Sequence, residues 1–215
     1  MLGTRLIVVA SMKEPSYIER KSPKGDKMVW LILGIVLFLG VHSARMLVPD
    51  FREKFIAKRG EMTWKGLYAV ESLIGLALIV WGYGQARMDP VILYETPYFF
   101  RHIAHALMLI AFIVLAAAYV PAGKIKAAVK HPMILSVKIW ALAHLLVNGD
   151  LASLILFVSF LGWAVWNRIN VKRRGEPNPV AGPVTNDVIA IVIGGVAFVL
   201  FAFWAHGALI GVPLF

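Results

Sequence analysis

Long apolar stretches separated by short polar segments dominate the chain, and no segment shows the period-two alternation of strands. A transmembrane helix needs about 20 mostly apolar residues, and six stretches reach or approach that length. They cover residues 28–48, 66–84, 99–120, 131–147, 151–166 and 187–209. The fourth and fifth are short and separated only by Asn148, Gly149 and Asp150, which predicts a tight helical hairpin. The pattern predicts an all-α, polytopic transmembrane bundle of about six spans, because helices satisfy their backbone groups without water.

Composition supports a membrane protein. Apolar residues make up 60% of the 215 residues, against roughly 45–50% in soluble domains, and charged residues make up 16%, against about 25%. This excludes a soluble globule, a disordered chain and a collagen-like repeat. The chain has no cysteine, which excludes disulfides, thiolate metal ligands and cysteine nucleophiles.

The net charge of +10 is explained by the loops, so no nucleic-acid partner is expected. Alternate loops carry thirteen Lys and Arg residues, whereas the intervening loops carry only Arg87 and Arg101. By the positive-inside rule, residue 28 lies outside and the loops 45–65, 121–131 and 168–186 face the cytoplasm. The thirteen are Arg45, Arg52, Lys54, Lys58, Arg59, Lys65, Lys124, Lys126, Lys130, Arg168, Lys172, Arg173 and Arg174. Residues 50–59, with Phe51 and Phe55, predict a short helix at the membrane surface.

Residues 1–27 break this charge pattern. They add six basic residues on the expected outer side, and their apolar core is too short for a signal peptide. We expect 1–27 to be an extension that is not part of the natural chain, which would then begin at Met28; the alternative is a genuine flexible extension with little influence on topology. Residues 28–215 form the transmembrane domain in both cases.

Ionisable groups inside the spans are the candidates for chemistry, because burying charge in a bilayer is costly. They are Glu71, Lys138 and six histidines at or within span ends, and neutral imidazole is a ligand of iron, zinc and copper. Two interpretations remain open for each histidine, namely a packing residue or a ligand. The histidines are His42, His102, His105, His131, His144 and His206.

Glu71 and Lys138 have similar expected depths. The rise per residue places them about 8 and 10 Å from the inner ends of their spans, which suggests an ion pair. The alternatives are that Lys138 extends to the inner headgroups, or contacts a haem propionate or another anionic ligand.

Several motifs closely resemble the NnrU family of integral membrane proteins. The most specific is the run from Lys130-His131-Pro132 through Lys138-Ile139-Trp140 to His144 and Asn148-Gly149-Asp150. Gly40-Val41-His42-Ser43 and Trp81-Gly82-Tyr83-Gly84-Gln85 fit as well, and the resemblance extends from about residue 28 to the end of the chain.

This resemblance implies a bacterial inner-membrane protein that assists nitrite or nitric oxide metabolism during denitrification. It also implies a link to 15-cis-ζ-carotene isomerase, a haem b enzyme that shares the domain. The haem ligands of that enzyme match His42 and His144, and Lys138 is a candidate contact to the cofactor. The isomerase has a cysteine where this chain has Ala141, which puts isomerase activity in doubt.

The expected topology places His42 and His144 at different heights, about 9 and 20 Å from the inner ends of their spans. His105 and His206 are therefore competing partners for His144, and His102 lies in the same half.

Four functions remain open. The first is a haem-b-binding protein of nitrite and nitric oxide metabolism, and the second is a membrane isomerase acting on a carotenoid or isoprenoid lipid. A lipid methyltransferase fits poorly, because Met133 and the apolar end of the chain depart from that pattern. A transporter or structural subunit is the fourth, and transport is weakened because this chain shows no inverted repeats.

Whether the protein is an enzyme stays open, as does its oligomeric state. The bilayer is the expected partner, with nitric oxide or a hydrophobic small molecule as ligand.

Overall fold

The computed structural model describes residues 24–214, with side chains from Met28 onwards. The described chain is helical apart from its connections. The helices are α1 (Lys24–His42), α2 (Ala44–Leu47), α3 (Pro49–Arg59), α4 (Glu61–Arg87), α5 (Phe100–Tyr119), α6 (Lys124–Val129), α7 (Pro132–Leu145), α8 (Leu151–Arg173), α9 (Val184–Leu200) and α10 (His206–Ile210), with a π-helical segment at Phe201–Ala205. Most of the expected extension 1–27 lies outside the described residues.

The predicted membrane-spanning, all-α fold is confirmed. Four helical segments of the described chain are long and apolar enough to cross a membrane, namely α4, α5, α8 and the continuous stretch Val184–Ile210. Two shorter apolar helices, Met28–His42 and Pro132–Leu145, bring the total to the six segments that the sequence predicts. The surface helix expected at 50–59 is α3, which begins at Pro49.

Some boundaries differ from the predicted ones. The first span ends at His42 instead of reaching residue 48, because a turn at Ser43 and the separate short helix α2 follow it before Pro49. A residue before proline avoids the helical conformation, and Val48 lies outside it. Conversely, α4 extends beyond the predicted 66–84 at both ends, because its polar flanks continue the helix.

The helices pack in the order α4–α1–α8–α7–α5–α9. Contacts such as Trp30 with Trp81 and His42 with Tyr68 show that α1 and α4 are antiparallel. We call the end of the bundle that carries His42, α3, α6 and the end of α8 the basic end, because the thirteen basic loop residues lie there. The opposite end, with Arg87 and Asp150, is called the neutral end.

Glycines bring α1 and α4 into direct backbone contact. A Cβ atom on Gly82 would lie 2.4 Å from the backbone nitrogen of Leu31, and one on Gly75 would lie 2.8 Å from that of Phe38. A Cβ on Gly34 would meet the nitrogen of Ile79 at 2.6 Å. Small residues allow membrane helices to approach this closely, so these positions fix the α1–α4 pair.

A buried carboxylate connects α9 to α6. The side chain of Asp187 is nearly buried, and its two oxygens accept hydrogen bonds from the backbone N–H groups of Lys124 and Ile125, both at 2.9 Å. These are N–H groups that a helix leaves unpaired at its start. Asp187 therefore holds the beginning of α6 against the beginning of α9.

Gly82→Ala is expected to destabilise the bundle, because the added methyl group collides with the α1 backbone. Overpacking costs about 1–3 kcal/mol, partly offset by about 1 kcal/mol from the higher helix propensity of alanine. Gly84→Ala is the matched control, since nothing lies within 4 Å of a Cβ there. Thermal unfolding in detergent should show a lower midpoint for Gly82→Ala than for Gly84→Ala. Equal midpoints would contradict the close approach.

Asp187→Ala is expected to lower the free energy of unfolding by about 1–3 kcal/mol, because two partly buried N–H groups at the start of α6 lose a charged acceptor. Asp50→Ala, which removes an exposed carboxylate from the first turn of α3, is the control and should have little effect. The same thermal measurement compares them. A wild-type midpoint for Asp187→Ala would show that the α6 contact contributes nothing.

Candidate functional site

His42 ends α1 at the basic end, where its ring is fixed from two sides. Its Nδ1 atom lies 2.6 Å from the carbonyl oxygen of Phe38, and the ring stacks on that of Phe38 with centroids 4.2 Å apart. A carbonyl only accepts hydrogen bonds, so Nδ1 carries the proton and Nε2 keeps the lone pair. Ligand histidines in metalloproteins are oriented by the same kind of contact.

A cavity of about 290 Å³ opens beside His42. Its volume is at the lower limit of ordinary ligand pockets. Tyr68 and Trp64 contribute aromatic walls, and both signs of charge lie at its rim. The complete lining is Val41, His42, Ala44, Arg45, Arg52, Glu61, Trp64, Lys65 and Tyr68. The cavity gives His42 a polar, partly exposed environment.

His144 lies near the other end of the bundle, in an aromatic environment. Its Nδ1 atom lies 2.9 Å from the carbonyl oxygen of Trp140, which again leaves Nε2 without the proton. Its ring stacks on Phe157 of α8 with centroids 4.6 Å apart and contacts Trp140 at 5.4 Å. His144 therefore has the same tautomer as His42 in a more apolar setting.

His206 approaches His144 from the last helical segment, and the two imidazoles are close enough to interact electrostatically. Its Nδ1 atom lies 2.6 Å from the carbonyl oxygen of Val212. The π-helical segment Phe201–Ala205 precedes it, and the ring of Phe201 meets His206 edge-on at 5.8 Å. Such π segments often occur at functional sites. His206 thus lies within electrostatic range of His144 at the neutral end.

His42 and His144 are separated by a row of aromatic rings. Phe38 contacts Phe160 at 5.6 Å, and Phe160 contacts Trp140 at 5.4 Å. His42 packs against Trp163 of α8 and His144 against Phe157. These two positions are six residues apart, or about 9 Å along the helix. The two imidazoles therefore pack against different turns of α8.

Comparison with known proteins identifies the family. The NnrU protein family matches residues 30–214, which is most of the chain. The chain belongs to the NnrU family. Neither a curated protein nor a solved structure matches it.

In this NnrU protein, the two other predicted histidines of the neutral end lie on α5. His102 is exposed, and its ring meets Tyr98 edge-on at 5.6 Å. His105 lies one turn further along the helix and interacts electrostatically with His102 and Arg101. Neither His102 nor His105 interacts electrostatically with His144; among the described residues, the histidine that does so is His206. No group of three or more His, Asp or Glu residues suited to a metal ion occurs within residues 24–214.

The predicted Glu71–Lys138 ion pair is wrong. No salt bridge between them occurs among the described residues, and Glu71 is exposed on α4. The charged group that acts on Lys138 is Arg168 of the neighbouring helix α8. Lys138 also lies about 9 Å from His144 along α7 and about 120° away around the helix, so the two side chains are on different faces of α7.

His131 precedes α7 at the basic end. Burial lowers its pKa below the usual value, and the positive charges of Arg168, Lys130 and Arg174 act in the same direction against the opposing effect of Glu176. Arg168 therefore acts on both His131 and Lys138, a neighbourhood for which the sequence offered no specific signal.

A hydrogen-bonded network at the neutral end was also not predicted. The hydroxyl of Tyr83 lies 2.8 Å from that of Ser153, whose own hydroxyl donates to Asp150 at 2.5 Å. Asp150 also accepts from the backbone N–H of Ser153 and so caps α8. Asp150 followed three residues later by Ser153 at the start of an apolar run was a readable capping signal. The network connects α4 to the α7–α8 turn, close to His144.

Ala141 occupies the position of the isomerase cysteine. It is fully buried in the core cluster that also contains Leu31, Ile79 and Phe157. The position packs helices together in this protein and offers no group to a ligand.

Proposed function

We propose that this NnrU protein binds haem b in a bacterial inner membrane and serves nitrite or nitric oxide metabolism. The basic end would face the cytoplasm, in accordance with its thirteen basic loop residues. The resemblance to the family suggests the association with nitrogen oxides, and the histidines suggest the cofactor.

The observation that supports the proposal is that His144 and His206 interact electrostatically and share one tautomer. Each has Nδ1 hydrogen-bonded to a main-chain carbonyl, at 2.9 and 2.6 Å, which leaves both Nε2 atoms as ligands. Histidines from different helices commonly hold haem within a helical bundle. The surrounding rings of Phe157, Trp140 and Phe201 provide an apolar setting for a porphyrin.

His144 and His206 are therefore the proposed ligand pair. A bound haem iron supplies one-electron chemistry and binds diatomic ligands such as nitric oxide. The chain's own contribution is to fix both imidazoles in one tautomer, and to exclude water by surrounding them with aromatic side chains.

His42 is the other partner for His144 that the family resemblance offers. It shares the tautomer but lies beyond the rings of Phe38 and Phe160. Haem bound between His42 and His144 would require these rings to move. This difference makes the choice of partner testable.

The test is the visible spectrum of the purified full chain, oxidised and reduced, after expression with an ample haem supply. We expect a b-type spectrum at about one haem per chain. His144→Ala and His206→Ala should lose most of the haem, because each removes an iron ligand. His42→Ala and His105→Ala are matched controls and should retain it, with helicity and detergent size-exclusion profiles confirming that every variant folds.

A colourless wild-type protein would overturn haem binding. Haem loss in His42→Ala with retention in His206→Ala would assign the ligands to His42 and His144 instead. Conversion of a 15-cis carotenoid in a carotenoid-producing host, whether or not the protein binds haem, would favour the isomerase.

A further inference from the structure

The level of Glu71 in the bundle follows from the ring contacts of His42. The His42 ring lies 5.1 Å from that of Tyr68 on α4 and 6.1 Å from that of Trp163 on α8, so these two helices are level there. Glu71 lies three residues beyond Tyr68, or about 4.5 Å further from the basic end. On α8, which runs the other way, this is the level of Phe160.

The level of Lys138 follows from the ring contacts of Trp140 on the same helix. The Trp140 ring lies 5.0 Å from that of Phe157 and 5.4 Å from that of Phe160, both on α8. Lys138 is two residues, or about 3 Å, nearer the basic end, and therefore level with Phe160. Glu71 and Lys138 thus lie within about one helical turn of the same level, on two helices that both contact α8.

Neither charge is neutralised within the described chain. Among its residues, Glu71 and Lys138 have no ion pair and no hydrogen bond. Glu71 is exposed on α4, and Lys138 is half-buried near the middle of α7. The charged group that acts on Lys138 is a second cation, Arg168. Ionisable groups at membrane depth usually have a partner, because an isolated charge in a bilayer is costly.

The surface around each charge is apolar and open. Leu67 and Ile74, one turn on either side of Glu71, are 54% and 51% exposed. Leu142, one turn from Lys138, is 46% exposed. Apolar faces of this kind, each with one polar side chain that can bond across the contact, are suited to association between membrane helices.

We propose that these faces of α4 and α7 bind a second copy of the chain, with Glu71 of one copy paired to Lys138 of its partner. The charge distribution gives all copies one orientation in the membrane. Copies in one orientation can pair only groups that lie at equal depth, and Glu71 and Lys138 meet this condition with opposite charges. A second copy therefore offers each group its complement at the right level. The contact does not depend on haem binding.

The experiment measures self-association of the full chain, by co-purification of two differently tagged copies from membranes and by native mass spectrometry in detergent. We expect the wild type to associate. Glu71→Gln and Lys138→Gln should each weaken association about tenfold, because each removes a charge-assisted hydrogen bond from the contact. Glu53→Gln and Lys172→Gln remove exposed charges elsewhere and should change association less than twofold.

Charge reversal gives a sharper test. Copies with Glu71→Lys should repel one another, and so should copies with Lys138→Glu, because the contact then joins like charges. When the two variants are co-expressed, each should associate with the other in preference to itself, because the mixed contact joins opposite charges again. Helicity and detergent size-exclusion profiles verify that both variants fold, and the glutamine variants test the contact if they do not.

A wild-type chain that stays monomeric in both measurements would overturn the contact, as would association that no variant of Glu71 or Lys138 changes. Recovery of association in the double variant Glu71→Lys/Lys138→Glu, without association between the two single variants, would also overturn it, because the pair would then form within one chain.

Discussion

The close approach of α1 and α4 is the contact on which the arrangement depends. Lipid tails are as apolar as leucine, so burial from water does not drive helices together inside a bilayer, and close packing must replace it. Gly34, Gly75 and Gly82 permit this packing because they carry no side chain at the contact. The pairing fixes the height of His42 against Tyr68 at one end and of Trp30 against Trp81 at the other. Few other contacts hold α4, so the cavity beside His42 also depends on these glycines.

The second constraint is the shortness of α7. Its 14 residues span about 21 Å, less than the roughly 30 Å of a hydrocarbon core. Both ends of α7 therefore bring polar groups towards membrane depth, and each needs partners there. At the neutral end, the Tyr94 hydroxyl lies 2.8 Å from the carbonyl oxygen of Leu145 and 3.0 Å from that of Asn148. At the basic end, the proline at the first helical position has no N–H group to leave unpaired.

The sequence was sufficient to predict how deep each residue lies in the membrane. Apolar length and charge distribution give the six spans, the tight turn at residues 148–150 and the concentration of basic residues at one end. The bilayer thickness sets the length of a hydrophobic span, so the order of residues along the chain is enough to locate each residue along the membrane normal. The family motifs singled out His42 and His144 among the six histidines, and the structure confirms that these two lie at different heights.

Rotation about the helix axes was not predictable in the same way. Glu71 and Lys138 share a depth, but their side chains point to different neighbours, and Arg168 is the group beside Lys138. In water, an amphipathic pattern shows which face is buried, whereas a span that is apolar all round carries little such information. The glycine positions are the exception, because Gly75, Ile79, Gly82 and Ala86 recur at helical spacing and mark the buried stripe of α4.

The same limit explains the choice of partner for His144. Six candidate histidines near span ends allow several pairs at compatible depth, and only the packing of α8 separates them. Its aromatic residues Phe157, Phe160 and Trp163 follow one side of the helix, so His144 stacks on Phe157 whereas His42 meets Trp163 edge-on two turns away. This row places aromatic side chains between His42 and His144. At the neutral end, the helix departs from regular α geometry just before His206, which acts electrostatically on His144. Packing on successive turns of α8 thus keeps His42 beside its own cavity at the basic end and His144 at the neutral end.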